Sequence, residues 1–89
     1  MQAYVLIQTE ANREPIADRV RGIAGVIAAE DLTGPFDAIA LARSPSTQSL
    51  AEQIVAEIRR LPGVIRVLSA PLIGSLGLGR QAEGGSEAA

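Results

Sequence analysis

Few side chains in this sequence could do chemistry, and they stand far apart. Asp37 closes the run Thr33-Gly34-Pro35-Phe36-Asp37 and is the only acid between Gly34 and Arg43. A carboxylate there has two readings. It takes an ammonium group while bare amides around Gly34 receive an anion, or it hydrogen-bonds the amides of its own turn. The adjacent acids Glu30 and Asp31 invite a hydrolase reading. Neighbours in an extended chain point to opposite faces, however, so this pair does not flank one substrate bond. Glu52 and Glu57 share a helical stretch with Arg59 and Arg60 and are expected to pair with arginines. Gly74, Gly77 and Gly79 have no lysine and no following helix, so they make no phosphate loop. Histidine and cysteine are both absent. That removes the commonest general base, the commonest metal ligand, disulfides and thiolate metal sites. Catalysis is not expected, and no metal or cofactor is implied.

Charge narrows the partners. All eight cations are arginines, scattered at 13, 19, 21, 43, 59, 60, 66 and 80, against ten acids and a net charge of −2. With only Tyr4 and Phe36 as aromatics, there is neither a basic face nor a stacking platform, so direct nucleic-acid binding is not expected. No apolar run approaches the ~20 residues that span a membrane, and no basic-plus-apolar leader appears. A cytoplasmic protein without a membrane partner is the expectation. The 89 residues, 47% of them apolar and nearly all of those aliphatic, fit one small globular domain.

The elements that must position these residues come in two similar sets. Residues 3–9 are β-rich and read as a strand. Asn12 is placed to cap a helix, with Pro15 near its start and Ile16, Val20, Ile23 and Ala24 along one stripe up to Gly25. Residues 26–32 form a second strand, Gly34-Pro35 turns the chain, and residues 36–43 form a third. Ser44, with Pro45 following it, or Ser46 caps a long helix striped by Leu50, Ile54, Ile58 and Leu61. Pro62-Gly63 stops it, and residues 64–73 form a fourth strand. Each helix thus ends on a glycine followed at once by valine, at Gly25-Val26 and Gly63-Val64. The order βαββαβ predicts an α+β, ferredoxin-like sandwich, with a four-stranded antiparallel sheet and two helices on one face. Residues 1–74 make the domain, and the glycine-rich residues 75–89 are expected to be a disordered tail.

The strands lack a clean polar face: Ile39 and Leu41 alternate with Ala38, Ala40 and Ala42, and Tyr4 and Leu6 with Val5 and Ile7. A sheet apolar on both sides needs cover, and a second copy packed sheet on sheet in a symmetric dimer is the expected cover.

The order of elements, the Gly34-Pro35-Phe36-Asp37 turn and the Leu61-Pro62-Gly63-Val64 step resemble the effector-binding (RAM) domain of the Lrp/AsnC, or feast/famine, transcriptional regulators. In that family a glycine, a spacer, an aromatic and an aspartate open the third strand. A hydroxyl residue, usually threonine, stands six positions past the later glycine; here it is Ser69. The resemblance covers residues 3–73. It implies a homodimer built through facing sheets, assembling into rings of four or five dimers (an octamer or decamer), with an amino-acid effector bound beside the turn. Thr33, Gly34, Pro35, Phe36, Asp37 and Ser69 are its candidate contacts. Phe36 is read either as core or interface or as a ligand-stacking face, and Ser69 either as a ligand contact or as a bond within its own sheet. Family members usually begin with a helix-turn-helix DNA-binding domain, whereas this chain opens on the first strand. The expectation is a stand-alone module that senses a metabolite alone or co-assembles with full-length Lrp/AsnC regulators. Two rivals are an oligomerisation module with no effector and a cofactor-free dimeric α/β-barrel monooxygenase, which shares the topology; the absence of histidine and tryptophan speaks against the latter.

Overall fold

The computed structural model describes residues 1–11 and 14–73. Strand β1 (Gln2–Thr9) leads to helix α1 (Ala17–Arg21), strands β2 (Val26–Asp31) and β3 (Ala38–Arg43), a second helix, and strand β4 (Val64–Pro71). The second helix opens as α2 (Thr47–Ser49), widens into a π-helical segment (Leu50–Val55) and closes as α3 (Ala56–Arg59). The four strands form one antiparallel sheet in the order β2-β3-β1-β4. This is the predicted ferredoxin-like βαββαβ sandwich.

One face of the sheet carries the core. Ala3, Val5 and Ile7 of β1 are fully buried beside Ala38, Ala40 and Ala42 of β3. The alanines leave room for the helices, which bring down Ile16, Ala17 and Val20 on one side and Leu50, Ile54, Val55 and Ile58 on the other. Each of the larger aliphatics contributes about 1.5–3 kcal/mol by leaving water. The other face, carrying Tyr4, Leu6, Ile39, Leu41 and Leu68, has no helix of the described residues over it.

Each Gly-Val step is a tight turn into a strand. The Val26 amide donates to the Ile23 carbonyl and the Val64 amide to that of Leu61, with Gly25 at φ 97° and Gly63 at φ 88° in third place. Proline before a positive-φ glycine, as in Pro62-Gly63, is the type II pattern. The halves match in their bonding too: the Gly25 carbonyl accepts from Arg43, at the end of β3, and the Gly63 carbonyl from Glu10, just past the end of β1, both at 2.8 Å.

The first helix is shorter than its apolar stripe predicted. It stops at Arg21 because Gly22, a poor helix former, and Ile23 bond three residues back, to Arg19 and Val20, and tighten the chain out of the α-helix. The predicted cap Asn12 lies outside the described residues, as do residues 74–89. Two amides at the start of α1 go to Asp31 of β2: Ile16 N–H and Ala17 N–H both donate to its Oδ1, at 3.0 Å. In the second helix the cap is Ser46, whose hydroxyl accepts from the Ser49 amide at 3.0 Å. Ser44 is buried and donates its hydroxyl to the Ser46 carbonyl. The π-helical segment is not announced by the sequence. Its wider turn lets both Ile54 and Val55 face the core one turn on from Leu50. Glu57 pairs with Arg60 as expected, but Glu52 accepts from Gln48, one turn back, rather than from an arginine.

Candidate functional site

The ends of β1 and β2, the start of β3 and the approach to α1 meet at one end of the sheet. Between them lies a cleft of about 140 Å³ lined by Thr9, Glu14, Pro15, Ile16, Asp31, Leu32 and Asp37. The hairpin between β2 and β3 builds its floor. The Leu32 amide donates to the Asp37 carbonyl and the Asp37 amide to the Ile7 carbonyl, both at 2.8 Å, so the Asp37 backbone is held from both sides. Its side chain reaches on to β1, where Oδ2 accepts from the Thr9 amide at 2.7 Å. A bond this short to an ionised acceptor belongs to the stronger class of hydrogen bonds. Among the described residues Oδ1 of Asp37 accepts no hydrogen bond, and the side chain is half-buried.

Three carboxylates therefore border the cleft, from Glu14, Asp31 and Asp37, and among the described residues no arginine lines it. Its field favours a cation, and an ammonium group could donate to the free oxygen of Asp37 or Asp31. Among the described residues no set of three His, Cys, Asp or Glu could hold a metal ion.

The candidate residues divide on this geometry. Asp37 stands in the cleft. Thr33, Gly34 and Pro35 form the exposed hairpin tip, with Gly34 at φ 126° and open space where a Cβ would stand, and Phe36 is half-buried behind them. Ser69 is not brought to the turn within one subunit. It pairs with Val5 on β4, at the far edge of the sheet and on the helix-bearing face. Thr9, Glu14 and Asp31 are cleft residues that the sequence reading passed over. The sequence carries no local signal for Asp31, which reaches the start of α1 across 14 and 15 residues only through the fold.

A small antiparallel sheet with two helices on one face, a bare apolar face on the other and an acidic cleft at the β2–β3 hairpin defines a class of compact binding domains rather than one activity. The family model described as Lrp/AsnC ligand binding domain matches residues 2–76. The chain belongs to that family, a ligand-binding domain of transcription regulators. The crystal structure of a Thermus thermophilus protein superposes with a TM-score of 0.73 at 26% identity, over 84% of this chain and 95% of that one. The leucine response regulatory protein of Mycobacterium tuberculosis gives 0.73 at 22% identity, over 91% and 56%. A transcriptional regulator of Neisseria meningitidis, solved as a complex with L-Met, gives 0.70 at 19% identity, over 84% and 51%. The chain spans about half the length of these two regulators, and with them the likeness is one of fold. No curated protein matches.

Proposed function

We propose that this domain binds an amino acid or a closely related metabolite at the acidic cleft and couples occupancy to its own assembly, in the service of transcriptional regulation in the cytoplasm. The observation that carries the reading is Asp37. It is fixed at the cleft by three hydrogen bonds, and among the described residues its other carboxylate oxygen accepts none. Membership of a ligand-binding family and the L-Met complex of the Neisseria regulator support an amino-acid ligand. A zwitterion leaving water needs both ends satisfied. Asp37 takes the ammonium, and backbone amides around Gly34 take the carboxylate. Ser69 joins the site only from a neighbouring subunit, because within its own chain it sits at the opposite edge of the sheet. The assembling unit is a dimer joined through the uncovered sheet face, with rings of dimers above it and full-length regulators of the family as co-assembly partners. The working module is residues 1–74, and removal of residues 75–89 leaves assembly and melting temperature unchanged. Melting curves recorded against each of the twenty amino acids test the binding, since a ligand held only by the native state raises Tm. A flat response to all of them overturns the reading.

One observation favours a second reading, an oligomerisation module with no effector. Both aspartates of the cleft already serve the fold, Asp37 holding the Thr9 amide and Asp31 the two first amides of α1. On that reading the melting curves stay flat while light scattering still gives an oligomer.

A further inference from the structure

The two halves of the chain repeat one another, and a pair of equivalent arginines breaks the repeat. Setting Gly25 on Gly63 gives a constant offset of 38 residues, which matches Ile16 with Ile54, Val20 with Ile58 and Val26 with Val64 in the core. Ile27 matches Ile65, and each is the residue that the strand register skips, a bulge at the start of an edge strand. The same offset sets Arg21 on Arg59, and Ala29 on Val67.

At the β2 edge, Arg21 closes the strand. Its Nη1 donates to the Ala29 carbonyl at 2.8 Å, and an ion pair with Asp18, one turn back, holds the guanidinium there. The position equivalent to Asp18 is Ala56, so the second helix lacks that anchor. Among the described residues the Arg59 guanidinium makes neither an ion pair nor a hydrogen bond, and Arg66 is equally without an ion partner. The β4 edge is therefore left open. Leu72 N–H donates to the Gln2 carbonyl, and an antiparallel ladder alternates, so Arg66 and Leu68 turn their backbone groups to β1. Val67 and Ser69 turn theirs to the free edge, where β4 has no neighbouring strand. A groove of about 460 Å³ runs along this edge, lined by Arg59 and by residues 64–68 of β4, with Ile65 60% exposed in it. Among the described residues it contains no acid.

We infer that the edge of β4 takes an extended acidic segment of a partner protein as an added strand, its backbone paired with Val67 and Ser69 and its carboxylates held by Arg59 and Arg66. Arg59 comes from the helix-bearing side and Arg66 from the uncovered face, and successive side chains of a strand alternate between faces. Two adjacent acids in the segment thus reach one arginine each. A second copy of this chain is the poorer occupant, because edge-to-edge pairing through this stretch gathers four arginines and no acid. The groove shares no lining residue with the acidic cleft, so the two sites are separate.

Amide NMR spectra of the full chain, titrated with the acetylated peptide Thr-Val-Glu-Glu-Val-Thr, an ordinary strand length, test it. The Val67 and Ser69 amides shift and their hydrogen exchange slows. Arg59→Gln and Arg66→Gln each raise Kd about threefold or more, as does replacing the two glutamates of the peptide by glutamine. Ala56→Asp supplies the missing anchor, draws Arg59 onto the Val67 carbonyl as Arg21 is drawn onto Ala29, and weakens binding to a similar degree; Ala56→Asn leaves binding unchanged. Unshifted amides away from the groove show that each variant folds. Absence of shifts at Val67 and Ser69 with millimolar peptide overturns the proposal. So does a peptide N-methylated at alternate amides, in either phase, that binds as well as its parent, or an Ala56→Asp chain that binds undiminished. Val67 and Ser69 amides already protected in the peptide-free chain show that another copy or the chain's own end holds the edge, and overturn it too.

Discussion

Asp37 has one carboxylate oxygen in the fold and one facing the cleft, so the two roles separate by substitution. Asp37→Asn keeps an acceptor for the Thr9 amide and removes the charge. It is expected to hold stability within about 1 kcal/mol while abolishing the ligand-induced rise in Tm. Asp37→Ala orphans a partly buried amide and costs roughly 1–3 kcal/mol, read from chemical denaturation. Retention of ligand response in Asp37→Asn moves the site elsewhere. Gly25 is a separate case. A Cβ there would stand 2.6 Å from Cδ1 of Ile54 and 3.2 Å from the Arg43 carbonyl, on a backbone at φ 97°. Gly25→Ala is expected to cost about 2 kcal/mol or more from the backbone conformation and the contact together. At ~4–8 °C per kcal/mol for a domain of this size, calorimetry registers a fall of roughly 8–16 °C. At this scale the sequence was legible where one residue decides its own geometry, as in both Gly-Val turns. Asp37 could be singled out, but not its bond to Thr9, because that partner is 28 residues away and follows from sheet register.

The helices show where local reading stops. The apolar stripe found both of them, and Ser46 was one of the two caps proposed for the second. The stripe also overran the first helix, since Ile23 packs against the core from a turn as well as it would from a helix. The π-helical segment left no trace in spacings of four, which α and π geometry share closely enough over eight residues. Capping gives the sharpest test at this scale. Ser46→Ala removes one acceptor from an exposed helix start and costs about 1 kcal/mol. Asp31→Ala removes the acceptor for two amides of α1 and loosens the wall of the cleft, so a larger loss is expected, roughly 2 kcal/mol. It is also expected to weaken ligand binding, whereas Ser46→Ala leaves binding unchanged. Equal thermal losses with unaltered binding in both would show that the cap from β2 is not specially coupled to the cleft.

For the whole molecule, the order and face of the strands were legible because two βαβ units with a hairpin between them admit few arrangements. The sequence gives a reason for a second copy to cover the bare face, since both sides of the sheet are apolar, but not how that copy is oriented. The two edges of the sheet, one closed by Arg21 and one open, are told apart once register is known, and register is set by pairing over long separations rather than by any local run. The strand order has a second consequence. Divide the chain at Gly34, so that one half holds β1 and β2 and the other β3 and β4. All three ladders, β1 with β3, β1 with β4 and β2 with β3, join one half to the other, and none lies within a half. Neither half owns a sheet, so the chain is two interleaved fragments that fold only on each other. Peptides 1–33 and 34–89 are expected to be separately coil-like by circular dichroism and to regain native ellipticity when mixed, with a rate that rises with concentration. Unfolding of the intact chain should be all-or-none, and its folding slow for its size, because no strand ladder of the described residues can form before the halves meet. A stable sheet signal from either peptide alone would show that a half has found strand pairing the native fold does not use.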